Sequence, residues 1–368
     1  MGASVACRNM TAATQHVGSI MRRLAWHGFT DNNMKRLGNI SEQFLSYESF
    51  DLAERMARKN KENKRADICR FLKENNTQEK RKRALMSISD AVRTRTFVSS
   101  EVKKAERFTG GKWRTICTVP YFPDRILHFA IYNAIKDRVS KTFIKDMYSY
   151  DKGIHELTCN IQKVIREWDK DEKIYVLSID ITKYYDSIDT GILLKQIKRL
   201  IKDKTILWII EEILNSHKAV VIGMLLSTIF SSLYLTAFDR WSKECLKARH
   251  YFRFADDFIV LHDDKKFLKE IAWRMMNHLF YNLKLDARYS NIFDIEKRPL
   301  DYCGYVHYRT HTLIRKETKQ KFIKNRHKPK SVASYMGMLK WCNSKHLIYK
   351  TLILDNGKKC TNSGKKAS

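Results

Sequence analysis

At 368 residues the chain exceeds a mini-domain held by staples and has the length for two or three subdomains around a substantial core. Apolar residues at 43% with only 4 prolines exclude a disordered chain or a mucin-like stalk. Lys and Arg number 70 against 40 Asp and Glu, a formal charge of +30; that field runs the length of the chain and points to nucleic acid rather than to a merely basic surface.

The eight cysteines form no C-x-x-C pair and read as reduced core thiols. Cys342 and His346 offer two ligands where structural zinc needs three or four. No run approaches the ~18 apolar residues of a membrane span, and no apolar leader opens the sequence, so a cytoplasmic protein without a membrane partner is expected.

Taken in chain order, residues 1–33 lack pattern and read as a poorly ordered extension. Residues 40–95 are rich in Lys, Arg, Glu and Leu and lack proline, which predicts basic helices. Thr109-Gly110-Gly111-Lys112 is a turn between two strand-like runs, 101–108 and 113–119, so a basic hairpin is expected. Helical spacing follows Asp124-Arg125 and again follows Gly153, over about 154–168. The apolar run 174–179 predicts a strand leading straight into Asp180. Asp189 is placed to cap a helix over 190–201, and a single long amphipathic helix is expected over 223–248. Residues 251–262 read as strand, turn and strand around Ala255-Asp256-Asp257. A helix over 266–282, a strand pair near 302–315 and a basic helical tail complete the order.

Nucleotidyl transfer needs two divalent ions, and hard Mg²⁺ is held by carboxylates converging from neighbouring strands. Asp180 at a strand exit, with Asp256 and Asp257 at a hairpin tip, supplies such a set. An Asp-Asp pair alone is weak, since Asp263-Asp264 follows seven residues later. The latter precedes Lys265-Lys266 and reads as a solvated helix start, whereas Asp256-Asp257 is framed by β-forming residues on both sides.

Several stretches carry a family resemblance. Residues 176–189, around Asp180, resemble the first palm motif of reverse transcriptases, and residues 252–261 resemble their second aspartate motif. The segment from Ile222-Gly223 to Leu235 is similar to the intervening glycine-serine helix. Lys112-Trp113-Arg114 resembles the fingers motif, and Cys303-Gly304-Tyr305 the primer-grip hairpin. The resemblance implies an α+β right-hand polymerase, with fingers, a palm whose antiparallel sheet is backed by helices, and a short helical thumb. It implies catalysis by Asp180, Asp256 and Asp257 with two Mg²⁺ ions, Mn²⁺ being able to substitute, and with the Ile181 carbonyl as a further metal ligand. Arg114, Lys183, Tyr184, Tyr185, Ile222 and Gly223 would bind the dNTP, with Tyr185 as the ring that excludes a ribose 2′-hydroxyl. Lys112, Trp113, Ser227, Gly304, Tyr305, Arg315 and Lys316 would contact nucleic acid.

Within this family the chain looks most like reverse transcriptases of diversity-generating retroelements, ahead of the bacterial retron- and group II intron-type enzymes. Pro120-Tyr121-Phe122-Pro123-Asp124-Arg125, Lys152-Gly153-Ile154-His155, Ile222-Gly223, residues 312–316 and residues 334–344 carry that likeness. Met224 and Thr228 stand where such enzymes usually show Asn and Gln, and Ala255 replaces a common Met. The likeness implies an RNA template, a DNA or RNA primer, mutagenic cDNA synthesis, a structured RNA and a small basic accessory protein assembled as a ring, in a bacterial or phage setting. The expected division is helical region and fingers over 34–150, palm over 151–300, primer grip and thumb over 301–350 and basic tail over 351–368. Alternatives are a phage-defence or retron-like reverse transcriptase, a catalytically silent nucleic-acid-binding relative, and a two-metal nuclease or cyclase.

Overall fold

The computed structural model describes residues 35–61, 65–109, 112–217, 220–289 and 291–354. The expected extension over 1–33, the hairpin tip at Gly110-Gly111 and most of the basic tail lie outside these. The architecture is α+β, and the chain divides into two compact units, each built from three chain segments. The first takes the chain up to Ile144, Ile181–Cys245 and Met275–Ala287; the second takes Lys145–Asp180, Leu246–Arg274 and the chain from Arg288 onward.

The first unit is mainly helical. Helix Tyr47–Arg58 packs on helices Gln78–Arg93 and Ile126–Ser140, and the last of these also packs on helix Leu225–Tyr234. Their contact faces are apolar at helical spacing: Phe50, Ala53 and Ala57 are fully buried, as are Ile126, Ala130 and Leu127. Asp189 caps helix Thr190–Leu200, accepting the Ile192 N–H at 2.8 Å, and Lys284 pairs with it. That contact outweighs burial, which acts the other way, and holds its carboxyl below the usual range. Strands β1 (Lys103–Thr109) and β2 (Lys112–Thr118) form the predicted hairpin.

The single helix expected over 223–248 is two, Leu225–Tyr234 and Thr236–Glu244, broken at Leu235. Ser231, Ser232 and Thr236 hydroxyls donate to carbonyls three or four residues back, at 2.9–3.1 Å. Such back-bonding competes with the ladder and bends helices. Helix Lys204–His217 was not anticipated at all.

The second unit is built on an antiparallel sheet. Strand β3 (Tyr175–Ile181) pairs with β5 (Asp257–His262), which pairs in turn with β4 (His250–Phe254). On its other edge β3 meets the short strands β6 (Ala287–Tyr289) and β7 (Phe293–Asp294). Helix Gly153–Glu167 covers one face of this sheet, packing Leu157, Ile161 and Ile165 with Val176, Ile259 and Leu261. The expected strand pair near 302–315 is a three-stranded sheet of β8 (Leu300–Tyr302), β9 (Tyr305–His307) and β10 (Thr312–Ile314). Helices Lys316–Lys324 and Pro329–Leu339 follow, and Phe322, Leu339 and Ile314 form their own small core.

Among the described residues no helix is long and apolar enough to cross a membrane. The six described cysteines form no disulfide, but only Cys117 is buried; Cys69, Cys159 and Cys245 are exposed. The expectation of core thiols fails because these three fall on the solvent side of amphipathic helices or at a helix end.

Candidate active site

Alternation along β3 puts Val176, Ser178 and Asp180 on one face of the sheet. Their partners on β5 are Leu261, Ile259 and Asp257. The face therefore runs from a fully buried apolar pair, through a mixed pair, to two exposed aspartates where the cover of helix Gly153–Glu167 ends. Directly opposed residues carry their Cβ atoms about 4.5–5.5 Å apart, so Asp180 and Asp257 present carboxylates side by side.

Asp256 sits one residue earlier, in a two-residue turn between the paired Phe254 and Asp257. Ala255, the first turn residue, has φ +54, a conformation that favours glycine. Two contacts hold the tip. The guanidinium of Arg253, fully buried, donates to the Ala255 carbonyl at 2.9 Å. The hydroxyl of buried Tyr302 on β8 donates to the Asp257 carbonyl at 2.7 Å.

The β8–β9 turn lies close by. Cys303 and Gly304 have φ +47 and +89, the pair of positive values that a tight two-residue hairpin requires. Burial first, and then the negative charges of Asp257 and Asp256, push the Cys303 thiol up to about 12. Arg315 joins this turn: its N–H donates to the Gly304 carbonyl at 3.0 Å, and its guanidinium pairs with Asp301. Lys316 is exposed at the start of the next helix. The unit thus brings together Asp180, Asp256, Asp257, Gly304 and Arg315.

Tyr305 is different. It is fully buried, with its hydroxyl donating to the Met338 carbonyl at 3.1 Å and lying 2.9 Å from His155 Nδ1. Its ring anchors the hairpin and cannot meet a nucleic-acid strand, which corrects the expected contact.

Like charges opposed across a ladder cost stability. The arrangement is understandable where a cation lies between them, and aspartate oxygens are the donors a hard divalent ion takes. Among the described residues, no group of three or more His, Cys, Asp or Glu side chains is placed to hold a metal ion; the register opposes Asp180 and Asp257 as a pair. The residues present fit such an ion.

The residues expected to hold the triphosphate all belong to the first unit. The Cys117 N–H of β2 donates to the Ile222 carbonyl at 2.7 Å, fixing the 222–223 turn against the strand. Gly223 has φ +107, and a Cβ there would lie 2.5 Å from the Cys117 carbonyl oxygen, so no other residue fits. Lys183 (φ +46, exposed) opens a short helix, Tyr184–Ser187. Tyr184 is buried with its hydroxyl on the Ser231 carbonyl, while Tyr185 is half-buried, its ring edge-on to Tyr184 at 5.6 Å. Burial raises the Cys117 thiol first, and Asp186 of the same short helix adds to it, so this helix also neighbours β2.

Arg114 is exposed and stands opposite Arg107 in the hairpin. Trp113, 69% exposed, meets Phe108 edge-on at 5.4 Å. Lys112 belongs to β2. Ile181 and Ser227 are buried, and this leaves Ser227 no surface for a strand, a second correction. Sequence reading missed Arg253 and Tyr302; an arginine between two phenylalanines in a strand was the available signal.

The model of the reverse transcriptase (RNA-dependent DNA polymerase) family matches residues 102–306, more than half of the chain. The chain belongs to the reverse transcriptase family. Its α+β architecture is that of a right-hand polymerase. No curated protein matches it. Among solved structures it is similar to telomerase from Candida albicans in complex with a TWJ fragment of telomeric RNA, at 11% identity and TM-score 0.46, over 67% of this chain and 55% of that one. Candida tropicalis telomerase with the same RNA fragment matches at 12% and 0.47, over 67% and 51%. An apo form of the latter, truncated from the C-terminal domain, matches at 13% and 0.42, over 60% and 55%. This reverse transcriptase spans about half the length of those chains.

Proposed function

We propose that the chain is an RNA-directed DNA polymerase that adds dNTPs to a primer 3′-hydroxyl on an RNA template. The observation that carries this is the register pairing of Asp180 with Asp257 at the exposed end of a buried sheet, with Asp256 at the adjoining tip. The aspartates would hold two divalent ions, Mg²⁺ or a substituting Mn²⁺, with the Ile181 carbonyl beside them. When bound, these ions lower the pKa of the primer hydroxyl and stabilise the leaving phosphate oxygen.

The protein's own groups do the rest. Arg253 and Tyr302 fix the tip so that the carboxylates are positioned before substrate arrives. Arg114, opposite Arg107 across the ladder, offers a planar fork to phosphate oxygens. Gly223 lets backbone come close to the nucleotide, and the Tyr185 ring excludes a 2′-hydroxyl by steric clash. Gly304, Arg315, Lys316, Lys112 and Trp113 contact the primer and template. In this reading residues 34–150 form the helical region and fingers, 151–300 the palm, and 301–350 the primer grip and thumb.

The resemblance to diversity-generating retroelements supports a finer reading: mutagenic cDNA synthesis, with a structured RNA and a small basic ring-forming partner. Primer extension on RNA and DNA templates, with the products sequenced, tests both levels. Incorporation on RNA with errors concentrated at template adenines is the expected result. Accurate copying would remove the finer reading alone, and no incorporation on any template would remove both.

A further inference from the structure

Side chains alternate along a strand, so the hairpin β1–β2 has two faces that carry different chemistry. Arg107 and Arg114 are opposed in the register and share one face; Phe108 and Trp113, the next opposed pair, stand on the other. A triphosphate held by Arg114 therefore leaves the aromatic face to a different group. Phe108 is 61% and Trp113 69% exposed, and their rings meet edge-on at 5.4 Å with 62° between the planes. Among the described residues no further ring and no cation covers either one. Their cross-strand contact supports the ribbon, but an aliphatic pair would do so while leaving far less flat apolar surface in water.

The charges around this pair say what suits it. Within the two strands Lys103, Lys104, Arg107, Lys112 and Arg114 stand against one acid, Glu106, which accepts the Thr115 hydroxyl. None of these cations is in an ion pair among the described residues. Exposed π-faces among unpaired cations fit a base flanked by phosphates, because every base has a face to stack and every linkage carries a negative charge. A base already stacked within a duplex has no free face to offer, so the ligand is an unpaired strand.

We propose that the face of the hairpin bearing Phe108 and Trp113 stacks the bases of an unpaired nucleic-acid strand. Lys104, on the same face and about 13 Å further along β1, meets the phosphates of the same run. The identity of the strand rests on the polymerase reading above: in a primer–template complex the primer is paired, and the unpaired strand is template not yet copied. The Trp113 contact is thereby narrowed to that part of the template, apart from the nucleotide that Arg114 holds.

The test uses the full chain and the variants Trp113→Leu, Phe108→Leu and Trp113→Phe. Leu keeps apolar bulk and removes the π-face, while Phe keeps a ring; at these exposed positions all three should unfold at the wild-type temperature. Anisotropy at one salt concentration follows binding of three fluorescein-labelled probes: a duplex with a long 5′ template overhang, the same duplex blunt-ended, and the overhang strand alone. Each Leu variant should bind the overhang duplex and the single strand about tenfold more weakly. The blunt duplex should bind as it does to wild type, and Trp113→Phe should stay close to wild type on every probe. Unchanged affinity for the overhang, as expected if a protein covers this face, overturns the proposal. Equal weakening on blunt and overhang duplexes, as expected if the rings grip paired nucleic acid, also overturns it. Loss of the single strand in the Leu variants of a protein that incorporates nothing would sink the polymerase reading and leave the stacking face standing.

Discussion

The hairpin β1–β2 and the sheet around β3 are both antiparallel, yet they are stabilised in opposite ways. In the β3 sheet Val176, Ile179, Phe258 and Val260 are fully buried, and Asp180 and Asp257 stand opposed at one end. In the hairpin, by contrast, residues 103–108 and 113–115 are exposed, and arginine faces arginine across the ladder. An isolated two-stranded ribbon is marginal in water. The comparison teaches that burial fixes the geometry where two carboxylates stand in register, while the hairpin is left exposed with arginine against arginine.

Changes to the hairpin and its neighbours should damage substrate binding, and changes to the sheet tip should damage turnover or stability. The largest expected effect outside the aspartates is at Arg114. Arg114→Ala should raise the KM for dNTP about 10- to 100-fold, the worth of one or two charge-assisted hydrogen bonds, with kcat changed much less. Arg114→Lys should recover only part of this, since Lys cannot form the fork. A steady-state dNTP titration reads both.

Gly223→Ala comes next, at about 1–3 kcal/mol, because the new Cβ meets the Cys117 carbonyl in a positive-φ conformation. A chemical denaturation series would reveal it, and wild-type stability would mean that the turn is not held against β2. Tyr302→Phe removes one buried hydrogen bond to the Asp257 carbonyl and should cost about 1 kcal/mol. A steady-state dNTP titration of this variant should show kcat falling while the KM for dNTP stays put, if the tip is a positioning element. The smallest effect is Ala255→Gly. Relief at φ +54 against greater freedom of the unfolded chain should leave stability within about 1 kcal/mol of wild type, on the stabilised side.

Much of this was readable beforehand because charge interrupts pattern so sharply. An apolar run ending in Asp180, and β-forming residues on both sides of Asp256-Asp257, leave few ways to fold other than carboxylates at strand ends. Asp264 illustrates the opposite case, which was also readable: its side chain accepts the Lys266 N–H at 2.6 Å as a helix start. What sequence could not give were choices made by packing. Tyr305 and Ser227 were expected at the nucleic acid but are buried, because an aromatic or small polar residue beside a turn carries the same signature whether it faces inward or outward. The break at Leu235 arises from serine and threonine hydroxyls bonding back along a helix whose apolar spacing never falters. Helix Lys204–His217, by contrast, was legible: its buried Ile206, Ile209, Ile210, Ile213 and Leu214 recur at helical spacing.

The central claim is that Asp180, Asp256 and Asp257 form one metal-holding edge, and the sharpest test pairs Asp256→Asn with Asp264→Asn as its control. Single-turnover incorporation and primer–template affinity are measured in both. Incorporation should fall by more than the roughly 100-fold that a residue supporting a metal ligand costs, in Asp256→Asn alone, with nucleic-acid affinity retained in both proteins. Incorporation by Asp256→Asn at the wild-type rate would contradict the account.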